Sequence, residues 1–121
     1  MSETQQLVGG ELNAALTREV VRIHAANLGR GPRKSFSFYN DNVVVTVMQE
    51  VMTRAEQRLT ANGDGHAVRT IRQLLQQVMD GELRASVEAL TGRKVIASMS
   101  DTHLDPDMAV GVFVLDGPVH A

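Results

Sequence analysis

The chain has no cysteine, no tryptophan, few aromatic residues and no long hydrophobic run, and each shortage removes a class of reading. Without cysteine there is no disulfide, no thiolate nucleophile and no sulfur-ligated metal, a composition compatible with a reducing compartment. Aromatic residues make up 3% of the chain, as Phe36, Phe38, Tyr39 and Phe113. No array of exposed rings is therefore available to stack nucleobases. A formal net charge of -2 and a pI near 6.0 argue against a polyanion partner, so nucleic-acid binding is not expected. No stretch approaches the roughly 18 apolar residues of a membrane span, and Met1 to Gln6 is polar and acidic. The expectation is a cytoplasmic protein with no transmembrane segment.

What remains is enough for one domain: 121 residues, 43% of them hydrophobic, with Val, Leu, Ile, Met and Ala left to build the core. From about Glu11 to Leu28, Leu12, Leu16, Val20 and Ile23 form one apolar stripe, which predicts an amphipathic helix. Gly29 stops it, and Pro32 prevents its renewal while biasing Gly31 toward extended geometry. Ser35 to Tyr39 then alternates, Asn40-Asp41-Asn42 has turn chemistry, and Val43 to Val47 is a continuous β-prone run, which together predict a hairpin.

Thr53-Arg54-Ala55-Glu56 has the pattern of a capping box and opens a short helix that Asn62-Gly63-Asp64-Gly65 ends. Val68, Ile71, Leu75, Val78, Val87 and Leu90 mark a second, longer helix. The pair Asp80-Gly81 predicts a bend or a close helix contact in its middle, and Thr91-Gly92 closes it. Val95 to Ser100 and Met108 to Leu115 read as strands joined by a turn over Asp101 to Asp107. The order α-β-β-α-α-β-β predicts an α+β two-layer sandwich, a largely antiparallel four-stranded sheet with helices on one face. The expected division is a flexible N-terminus at 1–10, a single domain at 11–117 and a C-terminal tail at 118–121.

The ordered set Gly29-x-Gly31-Pro32, a Val-rich strand leading to Thr53-x-x-Glu56, a long helix with Arg72 and Glu88, Thr91-Gly92-x-x-Val95, Ser100-Asp101 and Val112-Phe113-x-Leu115-Asp116 resembles the MpsC-like family. That family is named for a sodium-translocating, membrane-potential-generating system. The resemblance implies an accessory protein and not a pump, since a pump must span the membrane. It implies a link to membrane ion or bicarbonate transport and brings no catalytic residue with it.

Two clusters carry candidate chemistry. Arg30, Arg33 and Lys34 surround Gly31 in a turn where guanidinium forks and free backbone amides could hold a phosphate, carboxylate or bicarbonate. Asp101, His103, Asp105 and Asp107 offer carboxylates and an imidazole for a divalent cation, although Asp and Pro also favour such turns for backbone reasons. Gly29, Pro32, Thr53, Glu56 and Gly92 read as structural. His24, close to the end of the first helix, reads as a side chain placed for the helix dipole. No histidine pairs with a nucleophile in an elbow motif and no cofactor signature is present, so the expectation is a non-catalytic protein without a cofactor. The methionines Met48, Met52, Met79, Met99 and Met108 read as core filling, with an adaptable contact surface as the alternative. The leading reading is an accessory or regulatory homodimer with a membrane-protein partner. The alternative is a small-anion or nucleotide sensor at the Arg30 to Lys34 turn.

Overall fold

The first helix, α1 (Gly9–Leu28), buries Leu12, Leu16, Val20 and Ile23 as its periodicity demands. Gly29 ends it at φ 85°, with its N–H donating to the Ala25 carbonyl. The computed structural model describes residues 7–119. Most of the flexible segment expected at 1–10 lies outside them, and the helix takes in Gly9 and Gly10. Strands β1 (Lys34–Asn40) and β2 (Val43–Gln49) form the hairpin, turned at Asp41 with φ 56°.

Helix α2 (Arg54–Ala61) opens on the capping box. The Thr53 hydroxyl accepts from the Glu56 amide at 3.2 Å, and a Glu56 carboxylate oxygen accepts from the Thr53 amide at 2.8 Å. Helix α3 (Gly65–Thr91) follows, then β3 (Val95–His103) and β4 (Met108–Leu115). The sheet is antiparallel in the order β1-β2-β4-β3, so each half of the chain supplies one hairpin and the second strands of both meet in the middle. α1 lies against β1 and β2, α3 against β3, and the two helices pack on each other. The inward residues Val44, Met48, Ala109, Phe113 and Leu115 complete one core with the buried stripes of α1 and α3.

Two expectations are corrected. α3 runs unbroken through Gly81, and a Cβ there would meet nothing, so no close contact calls for the glycine. A single glycine costs a helix only about 1 kcal/mol, and buried Met79 and Leu83 on either side hold the segment helical. β3 extends to His103 because Asp101 and Thr102 find ladder partners in Val110 and Ala109; the turn is confined to residues 104–107. At the start of the expected tail at 118–121, the carbonyl of exposed Pro118 accepts from Arg93 Nε at 2.9 Å. Val119 is buried and its amide donates to the Asp41 carbonyl.

Gly92 caps α3 at φ 71°, its amide donating to the Glu88 carbonyl. Gly92→Val should cost about 1–2 kcal/mol in chemical denaturation, since a β-branched residue resists positive φ. Unchanged stability would refute its role as a helix stop.

The register also defines the sheet's other face. Across it run the rows Phe36, Val47, Val110, Asp101; Phe38, Val45, Val112, Met99; and Asn40, Val43, Val114, Ala97. Phe36 is 42% exposed, Phe38 45% and Met99 57%, and the two phenylalanine rings stack with centroids 6.4 Å apart. Lys34, Gln49 and His103 edge this face with polar groups.

Candidate functional site

The inward stripe of α3 starts Val68, Arg72, and the inward stripe of α1 ends Val20, Ile23, His24. Helical spacing thus carries an arginine and a histidine into the interior. Arg72 is 1% exposed and forms a bidentate pair with Glu56, its Nε and Nη2 donating to the two carboxylate oxygens at 2.7 Å each. Nη2 also donates to the Val51 carbonyl at 3.1 Å. Burial opposes ionisation of Glu56, but hydrogen bonds from Arg72 and Thr53 outweigh it and hold the carboxyl below its ordinary value. Glu56 therefore both caps α2 and neutralises a buried charge from α3.

His24 is 3% exposed. Its Nδ1 lies 2.9 Å from the Val20 carbonyl oxygen, which can only accept, so Nδ1 carries the proton and Nε2 presents a lone pair. That Nε2 is buried without a hydrogen-bond partner among the described residues. Burial pushes the imidazole's pKa down, the Val20 bond opposes this, and the Arg72 charge pushes it lower. The sequence reading of His24 as a cation at a helix end is thus corrected: the helix turns it inward, where the neutral form is favoured.

His24 lines a half-open cavity of about 340 Å³ between α1, α3 and the sheet, whose lining also includes Met99 and Val110 of the outer rows. Val20, Met48, Leu83 and Phe113 give it an apolar wall, and Thr46 and Ser98 add hydroxyls. Near its mouth Asp80 accepts from Arg84 Nε at 2.8 Å and from the Ser98 hydroxyl at 2.7 Å, which ties α3 to β3. Gln76, Gln77 and Ser100 are shared with a second hollow of about 310 Å³ lined by Arg69 and Arg72, so the two form one groove beneath α3. No feature of the sequence reading identified this groove. The available signal was a titratable residue falling in step with each apolar stripe.

Of the binding residues singled out from sequence, Asp101 lines the second hollow and the others lie elsewhere. Arg30 donates through Nη1 to the Met52 carbonyl at 2.9 Å and through Nη2 to the Glu50 carbonyl at 3.1 Å, bracing the turn against the segment that follows β2. Arg33 makes an exposed 3.6 Å pair with Glu50, and Gly31 and Lys34 lie beside them at the surface. Arg69 and Arg72 do not join this turn; Arg69 reaches the Thr102 carbonyl at 3.4 Å. Asp101 caps its neighbour Thr102, His103 Nδ1 bonds the Pro106 carbonyl, and Asp107 accepts from the Met52 amide at 2.9 Å. Among the described residues no three His, Asp or Glu side chains converge as a metal site would require. Met48, Met52 and Met79 are buried, whereas Met99 is exposed on the bare sheet face.

Fold and groove together define a small two-layer α+β domain with one sheet face left uncovered by the described residues. Residues 9–117 match the family described as Na+-translocating membrane potential-generating system (MpsC), and the chain belongs to that family. It is similar to an uncharacterized protein of Bacillus subtilis (strain 168), YrhF, with 28% identity over 92 residues covering 73% of this chain and 74% of the relative. No solved structure matches. Among the described residues no helix is long and apolar enough to cross a membrane.

Proposed function

We propose that this protein is a non-catalytic accessory or regulatory protein that acts through protein contacts, pairs with a second copy through the bare face of its sheet, and serves a membrane-protein partner of the ion-translocating system for which its family is named. The observation that carries the reading is strand β2. An antiparallel strand covered on one face reads as alternating apolar and polar residues, whereas Val43 to Met48 is apolar on both faces apart from inward Thr46. Helices account for the inner face alone. The outer rows have an apolar centre and a polar edge, the anatomy of a protein interface.

A second copy fits this face. A two-fold axis along the strands would lay β1 of one copy over β3 of the other, with Lys34 at one margin opposite His103 of the second copy. Membership in the family supports the link to a membrane system. Sedimentation at micromolar concentration should give about twice the 13.2 kDa chain mass. Phe38→Asp combined with Met99→Asp should return the monomer with an unchanged circular dichroism spectrum and weaken self-association by at least about 100-fold. A monomeric parent removes the homodimer, and a dimer indifferent to both substitutions removes this face as its interface.

A further inference from the structure

β3 is an edge strand, so one side of its backbone faces no other strand of the sheet. The Leu115 amide donates to the Asn42 carbonyl, so the odd-numbered residues of β4 bond toward β2 and the even-numbered ones toward β3. Their register partners Met99, Asp101 and His103 therefore turn their backbone groups to β4, and Ser98, Ser100 and Thr102 turn theirs outward. Side chains seal this outer edge at both ends. The Val95 amide donates to Glu88 of α3 at 2.8 Å, the Thr102 amide donates to Asp101 at 2.8 Å, and the Thr102 carbonyl accepts from Arg69 of α3 at 3.4 Å. Between the seals, the N–H and C=O groups of Ser98 and Ser100 have no partner among the described residues.

We propose that this open middle of β3 is a docking site for a short extended segment of a partner protein, which adds to the sheet as a fifth strand beside β3. The inference goes beyond self-association and does not need it, because the groups it uses lie on the strand's edge and not on its bare face.

The register sets the chemistry of the segment. An extended chain carries a donor and an acceptor on every second residue, about 7 Å apart, which is the spacing of the open groups of Ser98 and Ser100. Ser100 is exposed, so an incoming strand can reach it. Only two residues are open, so a few residues of chain suffice, whereas the nine-residue β3 of a second copy would run into the sealed ends.

Side chains add selectivity. The Ser98 hydroxyl donates to Asp80 of α3 at 2.7 Å, and Ser100 lines the second hollow with Gln73, Gln76 and Gln77, so both serines face α3. None of the three glutamine amides has a hydrogen-bond partner among the described residues. Segment residues opposite Ser98 and Ser100 point to the same side and meet these amides, which suits Asn, Gln, Ser or Thr. The residue between them falls on the outer face beside Met99, which is 57% exposed, and is apolar. The partner is thus an extended polar-apolar-polar segment.

A phage-displayed library of random eight-residue peptides, panned on the full chain, should enrich this alternation. In protein labelled with ¹⁵N, the enriched peptide made synthetically should shift the amides of Ser98 and Ser100 and leave those of Phe38 and Val45 unmoved. Ser100→Pro removes an outward N–H where an edge strand tolerates proline, and should weaken binding at least about tenfold with an unchanged circular dichroism spectrum. Methylating the two peptide amides that face β3 should weaken binding at least as much, whereas methylating the amide between them should not. These two peptides decide the matter even if Ser100→Pro fails to fold. Failure to enrich any peptide, shifts at the bare face in place of Ser98 and Ser100, or binding indifferent to Ser100→Pro or to edge methylation overturns the proposal. So does loss of self-association in folded Ser100→Pro, which would assign the edge to a second copy.

Discussion

Arg72→Met should lower the unfolding free energy by about 3–5 kcal/mol, because it leaves the Glu56 carboxylate buried with its counter-charge removed. Glu56→Gln should cost a comparable amount from the other side, stranding a guanidinium that is 1% exposed and whose Nη1 already has no partner among the described residues. The double variant Glu56→Leu, Arg72→Met should recover much of the loss, since two apolar side chains need no pairing. Its remaining deficit is the capping box, about 1 kcal/mol, because Glu56 also accepts from the Thr53 amide. Urea denaturation of the three variants decides the matter. Single substitutions costing less than about 1 kcal/mol would show that α2 and α3 are held by apolar packing and that the pair contributes little.

Acidification should destabilise the fold in two stages. The folded-state pKa of His24 lies below its ordinary 6.5, chiefly through burial. The unfolded chain then takes up a proton before the folded chain does, so stability is complete above about pH 6.5 and declines as pH falls toward the folded value. Glu56 also titrates below its ordinary 4.5, where hydrogen bonds from Arg72 and Thr53 outweigh the opposing effect of burial. Its contribution is full above about pH 4.5 and is lost as pH falls through the depressed value. Both slopes have the same sign and add. Denaturation midpoints measured across this range should fall in both windows. His24→Leu should flatten only the upper stage and Glu56→Gln only the lower. A parent equally stable at about pH 7 and pH 5 would mean that His24 is protonated without penalty, contrary to its burial.

Most of the architecture was legible because it follows from short-range rules. The stops at Gly29 and Gly92 adopt the left-handed geometry expected of them, at φ 85° and 71°. The Thr53-x-x-Glu56 pattern forms its reciprocal cap. The apolar stripe of α1 and the branched run of β2 gave their element types directly. The candidate site was not legible. The Arg30 turn and the Asp101 to Asp107 segment attracted notice because their charges are adjacent in sequence, whereas in the fold Arg30 braces backbone carbonyls and the acidic side chains cap separate amides. From sequence His24 reads as a helix-end side chain and Arg72 has no role of its own, because nothing within a few residues of either distinguishes a helix face turned to water from one turned to the core.

The sequence by itself determined the element types, their order, the helix stops and the absence of disulfide and thiol chemistry, since each depends on residues within a turn or two of one another. Tertiary structure decided the sheet order β1-β2-β4-β3, the continuation of β3 to His103 and the passage of α3 through Gly81. It also decided the burial of His24 beside a cavity and the union of Glu56 with Arg72 across 16 positions of chain. The reason is that strand pairing and burial are settled by partners distant in sequence. Packing against those partners outweighs local preferences that are each worth only about 1 kcal/mol.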